Sequence, residues 1–121
     1  MAPQITPFTL GDRPANSGES VSATCSVTVG DQPLQILWYF NGKILNPHID
    51  SSNILISTKR RRSLLEIEDV TAEHAGEYTC TVSNEAGSTS YSTALVVNGT
   101  NLSLIIARTR IILSFPNPQA L

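Results

Sequence analysis

The sequence predicts an all-β fold, a sandwich or a barrel. Turn signals recur at short intervals: Asn16-Ser17-Gly18, Gly30-Asp31-Gln32-Pro33, Asn41-Gly42-Lys43, Asn46-Pro47, Ser51-Ser52-Asn53 and Asn84-Glu85-Ala86-Gly87. The stretches between them are rich in Val, Thr, Ile, Leu and Tyr, and several alternate with a period of two, as half-buried strands do. No long stretch carries the 3.6-residue stripe of an amphipathic helix.

The elements follow in order. Within residues 19–29, Val21, Ala23, Cys25, Val27 and Val29 alternate with Ser20, Ser22, Thr24, Ser26 and Thr28, giving one apolar and one hydroxyl-rich face. Within residues 34–40, Leu34, Ile36, Trp38 and Phe40 share a face; Gln35, Leu37 and Tyr39 share the other. A strand near residues 53–58 is expected, but Ile54, Leu55 and Ile56 are all aliphatic and leave its register open. Within residues 64–70, Leu65 and Ile67 point one way and Leu64, Glu66 and Glu68 the other. A short helical turn is expected at residues 71–74. Within residues 76–82, Tyr78, Cys80 and Val82 align.

The chain has 121 residues and a mass of 13.0 kDa, the size of one domain. Net charge is −2, which argues against a basic nucleic-acid binder. Two His and two Cys do not supply a closed Cys/His zinc site, and no cofactor is expected. His48 and His74 fall in different places, and nothing gathers Ser, His and Asp into a catalytic group. The chain is therefore not expected to be an enzyme or to take a small-molecule substrate. No targeting segment is visible, so the chain is either cytosolic or begins at a mature domain. Residues 1–99 hold all ten acidic groups and six basic ones; residues 100–121 add Arg108 and Arg110 and no acid. The last 22 residues also change in composition, with sticky runs Leu104-Ile105-Ile106 and Ile111-Ile112-Leu113. The expected division is a domain over 1–99 and a tail over 100–121, either non-native or a linker.

Cys25 and Cys80 fall on inward phases of different strands, and Trp38 is inward between them. Two packed sheets would bring the cysteines together with the indole beside them. A disulfide would close a loop of about 56 residues, worth roughly 4 kcal/mol in the chain-entropy view. The alternative is two unpaired buried thiols, since free Cys is a common core residue.

Cys25…Trp38…Cys80, with Ala75-Gly76-Glu77-Tyr78-Thr79-Cys80, resembles the immunoglobulin fold of the intermediate set. The resemblance implies two antiparallel Greek-key sheets, A/B/D/E and A′/C/F/G, joined by one inter-sheet disulfide. It makes Tyr78 a tyrosine corner, and Leu65-x-Ile67-x-x-Val70 matches the family's strand E. The core residues so marked are Trp38, Tyr78, Leu65 and Ile67. One position departs from the pattern: His74 stands where the family usually has Asp, which puts that residue's salt bridge in doubt and leaves a neutral, locally bonded His as the plain expectation.

The motifs narrow further. Pro3-Gln4-Ile5-Thr6-Pro7-Phe8, Gly11-Asp12-x-Pro14-Ala15-Asn16-x-Gly18, Cys25-x-Val27, Gly30-Asp31-x-Pro33, Trp38-x-Phe40-Asn41-Gly42 and His74-Ala75-Gly76 resemble the alternatively spliced variable domain of arthropod Dscam (Down syndrome cell adhesion molecule) receptors, including the shortened Dscams of chelicerates. That resemblance implies a module of an extracellular, single-pass cell-surface receptor in neuronal self-recognition. Its partner would be its own copy, as an isoform-specific antiparallel homodimer in trans, with other immunoglobulin domains of the same receptor beside it. A membrane would be met only through other parts of the receptor. The implied interface is the outward A/B/D/E face: Ser22, Thr24, Ser26, Leu55, Arg61, Arg62, Leu64, Glu66 and Glu68. Lys59-Arg60-Arg61-Arg62 is the sharpest charge feature, read as a solvated turn, a glycosaminoglycan site, or a basic end meeting Glu66, Glu68 and Asp69 of the partner. The C/F/G face, with Leu37 and Tyr39 outward, is the next candidate. Asn98-Gly99-Thr100 and Asn101-Leu102-Ser103 are glycosylation sequons, with Asn98 the candidate. Competing readings are an immune-type receptor domain for foreign ligands and a structural module of the giant-muscle-protein kind.

Overall fold

The computed structural model describes residues 1–11, 14–45 and 53–99. His48, the expected turn at Asn46-Pro47, Ser51 and Ser52 of the next expected turn, Asn101 and the whole expected tail lie outside these residues.

The first sheet runs in the order β1-β2-β6-β5, from β1 (Gln4–Thr6), β2 (Val21–Val29), β5 (Ile54–Thr58) and β6 (Arg62–Ile67). The second runs β4-β3-β7-β8, from β3 (Gln35–Phe40), β4 (Lys43–Ile44), β7 (Gly76–Asn84) and β8 (Gly87–Leu95). All strand pairs are antiparallel, and a bulge between Gln4 and Ile5 shifts the β1–β2 register. This is the expected sandwich, with three local differences. In place of a paired A′ strand there is an isolated parallel bridge, Ala15 to Val97. The two-residue β4 arises because Asn41 and Gly42 both take positive φ, 52° and 83°, the conformation of a tight hairpin turn. The strand that carries Leu65 and Ile67, expected to end near Glu68, ends at Ile67 but begins earlier than its alternation, at Arg62; the chain then bends so that Val70 turns inward and exchanges backbone bonds with Glu19 and Gly18.

The inward phases meet at the centre. Cys25 and Cys80 are joined across the sheets with Cα atoms 6.4 Å apart, so the free-thiol alternative falls away. Leu65, Ile67, Tyr78 and Val82 are completely buried, and Trp38 is 2% exposed with Phe8 edge-on to its ring at 5.5 Å. Ser63 is buried on the same face as Leu65. Trp38 Nε1 donates to Ser63 Oγ at 2.9 Å, and that hydroxyl also bonds Thr58 Oγ1 at 2.8 Å. The indole N–H is thereby satisfied inside an otherwise apolar core, as burial of a polar group requires.

The corner before β7 is built on His74. A 3-10 turn spans Ala72–His74, close to the expected position. The Tyr78 hydroxyl donates to the His74 carbonyl at 2.7 Å, which is the tyrosine corner. The Thr71 N–H donates to His74 Nδ1 at 2.9 Å, so the ring accepts at that nitrogen and caps the turn. Burial pushes the Tyr78 phenol well above the ordinary tyrosine range.

Candidate recognition face

Because side chains alternate along strands, the outer face of the first sheet is set by which phase the core takes. Ala23, Cys25, Val27, Leu65 and Ile67 go inward, leaving Ser22, Thr24, Ser26, Arg62, Leu64 and Glu66 outward. Pairing also resolves the ambiguous fifth strand. Ile54 lies opposite Ile67 and is buried, Ile56 lies opposite Leu65 and is half-buried, and Leu55 is therefore turned out, 50% exposed.

Register arranges these residues in three rows. One holds Ser26 and Arg62; the next holds Thr24, Leu64 and Ser57; the third holds Ser22, Glu66 and Leu55. Leu64, 36% exposed, sits in the middle row between two small hydroxyl residues. Leu55 is its diagonal neighbour across β5–β6, at a spacing of about 7–8 Å that large side chains bridge. Arg62 precedes Leu64 by two residues on the same face and Glu66 follows it by two. At about 3.4 Å per residue, each charge is about 7 Å from the leucine along the strand, with opposite sign on either side.

Two of the expected interface residues stand apart from these rows. Arg61 lies in the β5–β6 turn, closed by the Lys59 N–H donating to the Arg62 carbonyl at 2.7 Å. Its guanidinium folds back onto the end of β2, donating to the Gly30 carbonyl at 2.9 Å and the Val27 carbonyl at 3.3 Å. Arg61 thus holds the turn to the β2–β3 loop, and the basic residue within the rows is Arg62. Glu68 is exposed but one residue past the end of β6, outside the ladder.

The same pole as Arg61 carries an open groove of about 320 Å³ lined by Met1, Asp31, Gln32, Pro33, Asn84, Glu85 and Ala86. Asn84 stitches it: its amide nitrogen donates to the Met1 and Asp31 carbonyls, and its oxygen accepts from the Ala86 and Gly87 N–H groups. The N-terminal ammonium hydrogen-bonds Asp31 and holds that carboxyl below its usual range. On the second sheet the outward residues are uncharged over most of the face: Thr79 lies opposite Ser92 and Thr81 opposite Ser90, with Leu37, Tyr39 and Ile44 toward β4. Among the described residues, no three His, Cys, Asp or Glu side chains gather into a metal-binding group.

Comparison with known proteins agrees with this architecture. A profile described as the immunoglobulin domain matches residues 2–84. Cell adhesion molecule Dscam1 of Drosophila melanogaster is 39% identical over 98 residues, which cover 79% of this chain and 5% of that protein's length. The crystal structure of the Dscam1 Ig7 domain, isoform 5, superposes with a TM-score of 0.75 at 35% identity, covering 80% of this chain and 97% of that one. The titin I-band fragment I67–I69 superposes with a TM-score of 0.70 at 30% identity, covering 80% of this chain and 32% of that one.

Proposed function

The chain belongs to the immunoglobulin domain family, and from that membership we propose that it is a recognition module of an extracellular cell-adhesion receptor that binds a second copy of itself. The outer face of β1-β2-β6-β5 is the contact. The similarity to Dscam1 supports adhesion as the setting, with isoform-specific pairing between cells and neuronal self-recognition as its finer form. The observation that carries the reading is the symmetry of charge about Leu64. A two-fold axis lying in the plane of the contact above that residue, parallel to the sheet and perpendicular to β6, lays β6 antiparallel on its copy. Arg62 then faces Glu66 of the second copy, and Glu66 faces its Arg62. A two-fold contact must be self-complementary in this way. It is also selective, because another variant with a changed row meets like charge or a clash while its match to itself is kept. Leu64 and Leu55 supply the apolar centre. One domain pair is expected to bury less than the ~1,600 Å² of a standard interface, so self-affinity is micromolar or weaker.

Sedimentation and cell-aggregation assays test this. Leu64→Asp brings two charges together in a desolvated centre and abolishes self-association. Arg62→Glu alone weakens it by about 0.2–1 kcal/mol, fading at high salt, and Arg62→Glu with Glu66→Arg restores it. If Leu64→Asp self-associates as the parent does, the contact lies elsewhere, and the second sheet's face with Leu37 and Tyr39 is tested next. The titin likeness supports a second reading, an intracellular structural module. The Cys25–Cys80 bond counts against that second reading, because an intracellular module keeps its cysteines as thiols whereas a secreted one holds them bonded.

A further inference from the structure

We infer that Asn98 is a site of N-linked glycosylation, with the oligosaccharide carried at the end of the second sheet and off the Leu64 face. The inference rests on the extracellular reading. Asn98-Gly99-Thr100 supplies the acceptor amide and the hydroxyl two residues on that the transferase recognises. The structure adds the position. Asn98 is exposed, in a turn just after the Ala15–Val97 bridge, with Gly99 at φ +86°. Its backbone is fixed by the Asn98 N–H donating to the Ala15 carbonyl at 2.7 Å, while its side chain points out along the surface, where Nδ2 donates to Asn16 Oδ1 at 2.6 Å. That contact is compatible with modification, because the amide has two N–H groups. One is replaced by the sugar, and the other still reaches Asn16. No core side chain is displaced, and β8, which leads to the site, belongs to the sheet opposite the proposed contact.

The reaction needs a polyprenyl-pyrophosphate-linked oligosaccharide as donor. Nδ2 loses a proton and attacks the anomeric carbon. The N–C bond forms, the C–O bond to pyrophosphate breaks, and the lipid pyrophosphate leaves with the electron pair. No electrons are gained or lost overall.

The test is secretion of the full chain from eukaryotic cells in an Asn101→Gln background, which removes the second sequon. Enzymatic release of the glycan should convert Asn98 to Asp in the recovered peptide, read by mass spectrometry. Thr100→Ala should abolish the conversion, and Thr100→Ser should keep it. A secreted chain with the Cys25–Cys80 bond formed and Asn98 unmodified overturns the site and leaves the adhesion reading standing. A chain glycosylated at Asn98 that fails to self-associate supports the site and counts against that reading.

Discussion

Single hydrogen bonds decide much of how this core tolerates change. Ser63 sits among apolar neighbours because it is the acceptor for Trp38 Nε1, and losing it strands a buried N–H. Ser63→Ala is expected to cost about 1–3 kcal/mol in urea unfolding, more than a surface Ser→Ala such as Ser90→Ala. The sequence pattern puts Ser63 in phase with Leu65, yet a serine in a strand reads as an outward residue. Only the indole brought from the other sheet explains its burial, and nothing local in the sequence announces that partner. Tyr78 was legible from its place two before Cys80, and it carries a pH signature. Its phenol is raised by burial, so the folded state favours the protonated form. The stabilisation is full below the unfolded tyrosine value of about 10 and declines as pH rises above it. Stability of the parent should fall through that alkaline range, and Tyr78→Phe should flatten the part of the slope due to this group, measured by denaturant titration at stepped pH. At neutral pH the same variant loses one bond to the His74 carbonyl, about 1 kcal/mol.

Strands reveal their faces in sequence but not their neighbours. The alternation in β2, β3 and β6 sorts core from surface, because a strand with one wet side must alternate. It is silent for Ile54-Leu55-Ile56, where either phase would bury aliphatics; pairing with Ile67 and Leu65 settles it and turns Leu55 outward. Arg61 shows the same gap. As one of four consecutive cations it reads as solvated charge, yet it clasps two carbonyls more than thirty residues away in sequence. The join between β3 and β7 depends on another long-range fit. At Gly76, with φ +156°, a Cβ would stand 2.7 Å from both Asn41 Oδ1 and Phe40 Cε1, while Asn41 Oδ1 accepts the Glu77 N–H at 2.9 Å. Gly76→Ala must push that turn away and is expected to lower stability by about 1–3 kcal/mol, with a matching fall in thermal midpoint.

At the scale of the molecule, the described sandwich is tied at both its ends. The last strand among the described residues ends at Leu95, Val97 bridges Ala15, and the Asn98 N–H reaches the Ala15 carbonyl. A chain ending at Gly99 is therefore expected to keep the parent's melting temperature and self-association; a large loss in calorimetry would assign residues 100–121 a structural part. Removing the bond between the sheets, as Cys25→Ala with Cys80→Ala, should cost about 4 kcal/mol by the entropy model, read as a lower denaturant midpoint. That bond has a further consequence when the domain is pulled by its ends, as a module linking two cells would be. The cysteines are 55 residues apart along the chain, and everything between them is shunted by the covalent link. Force passes through Cys25 directly to Cys80 and never reaches β3, β5 or β6 as tension. Even fully ruptured, the domain can lengthen only by its outer segments. At about 3.4 Å per residue, the enclosed loop withholds roughly 190 Å of extension until it is reduced. The disulfide therefore acts as a mechanical stop that limits how far the domain can lengthen once its sheets have parted.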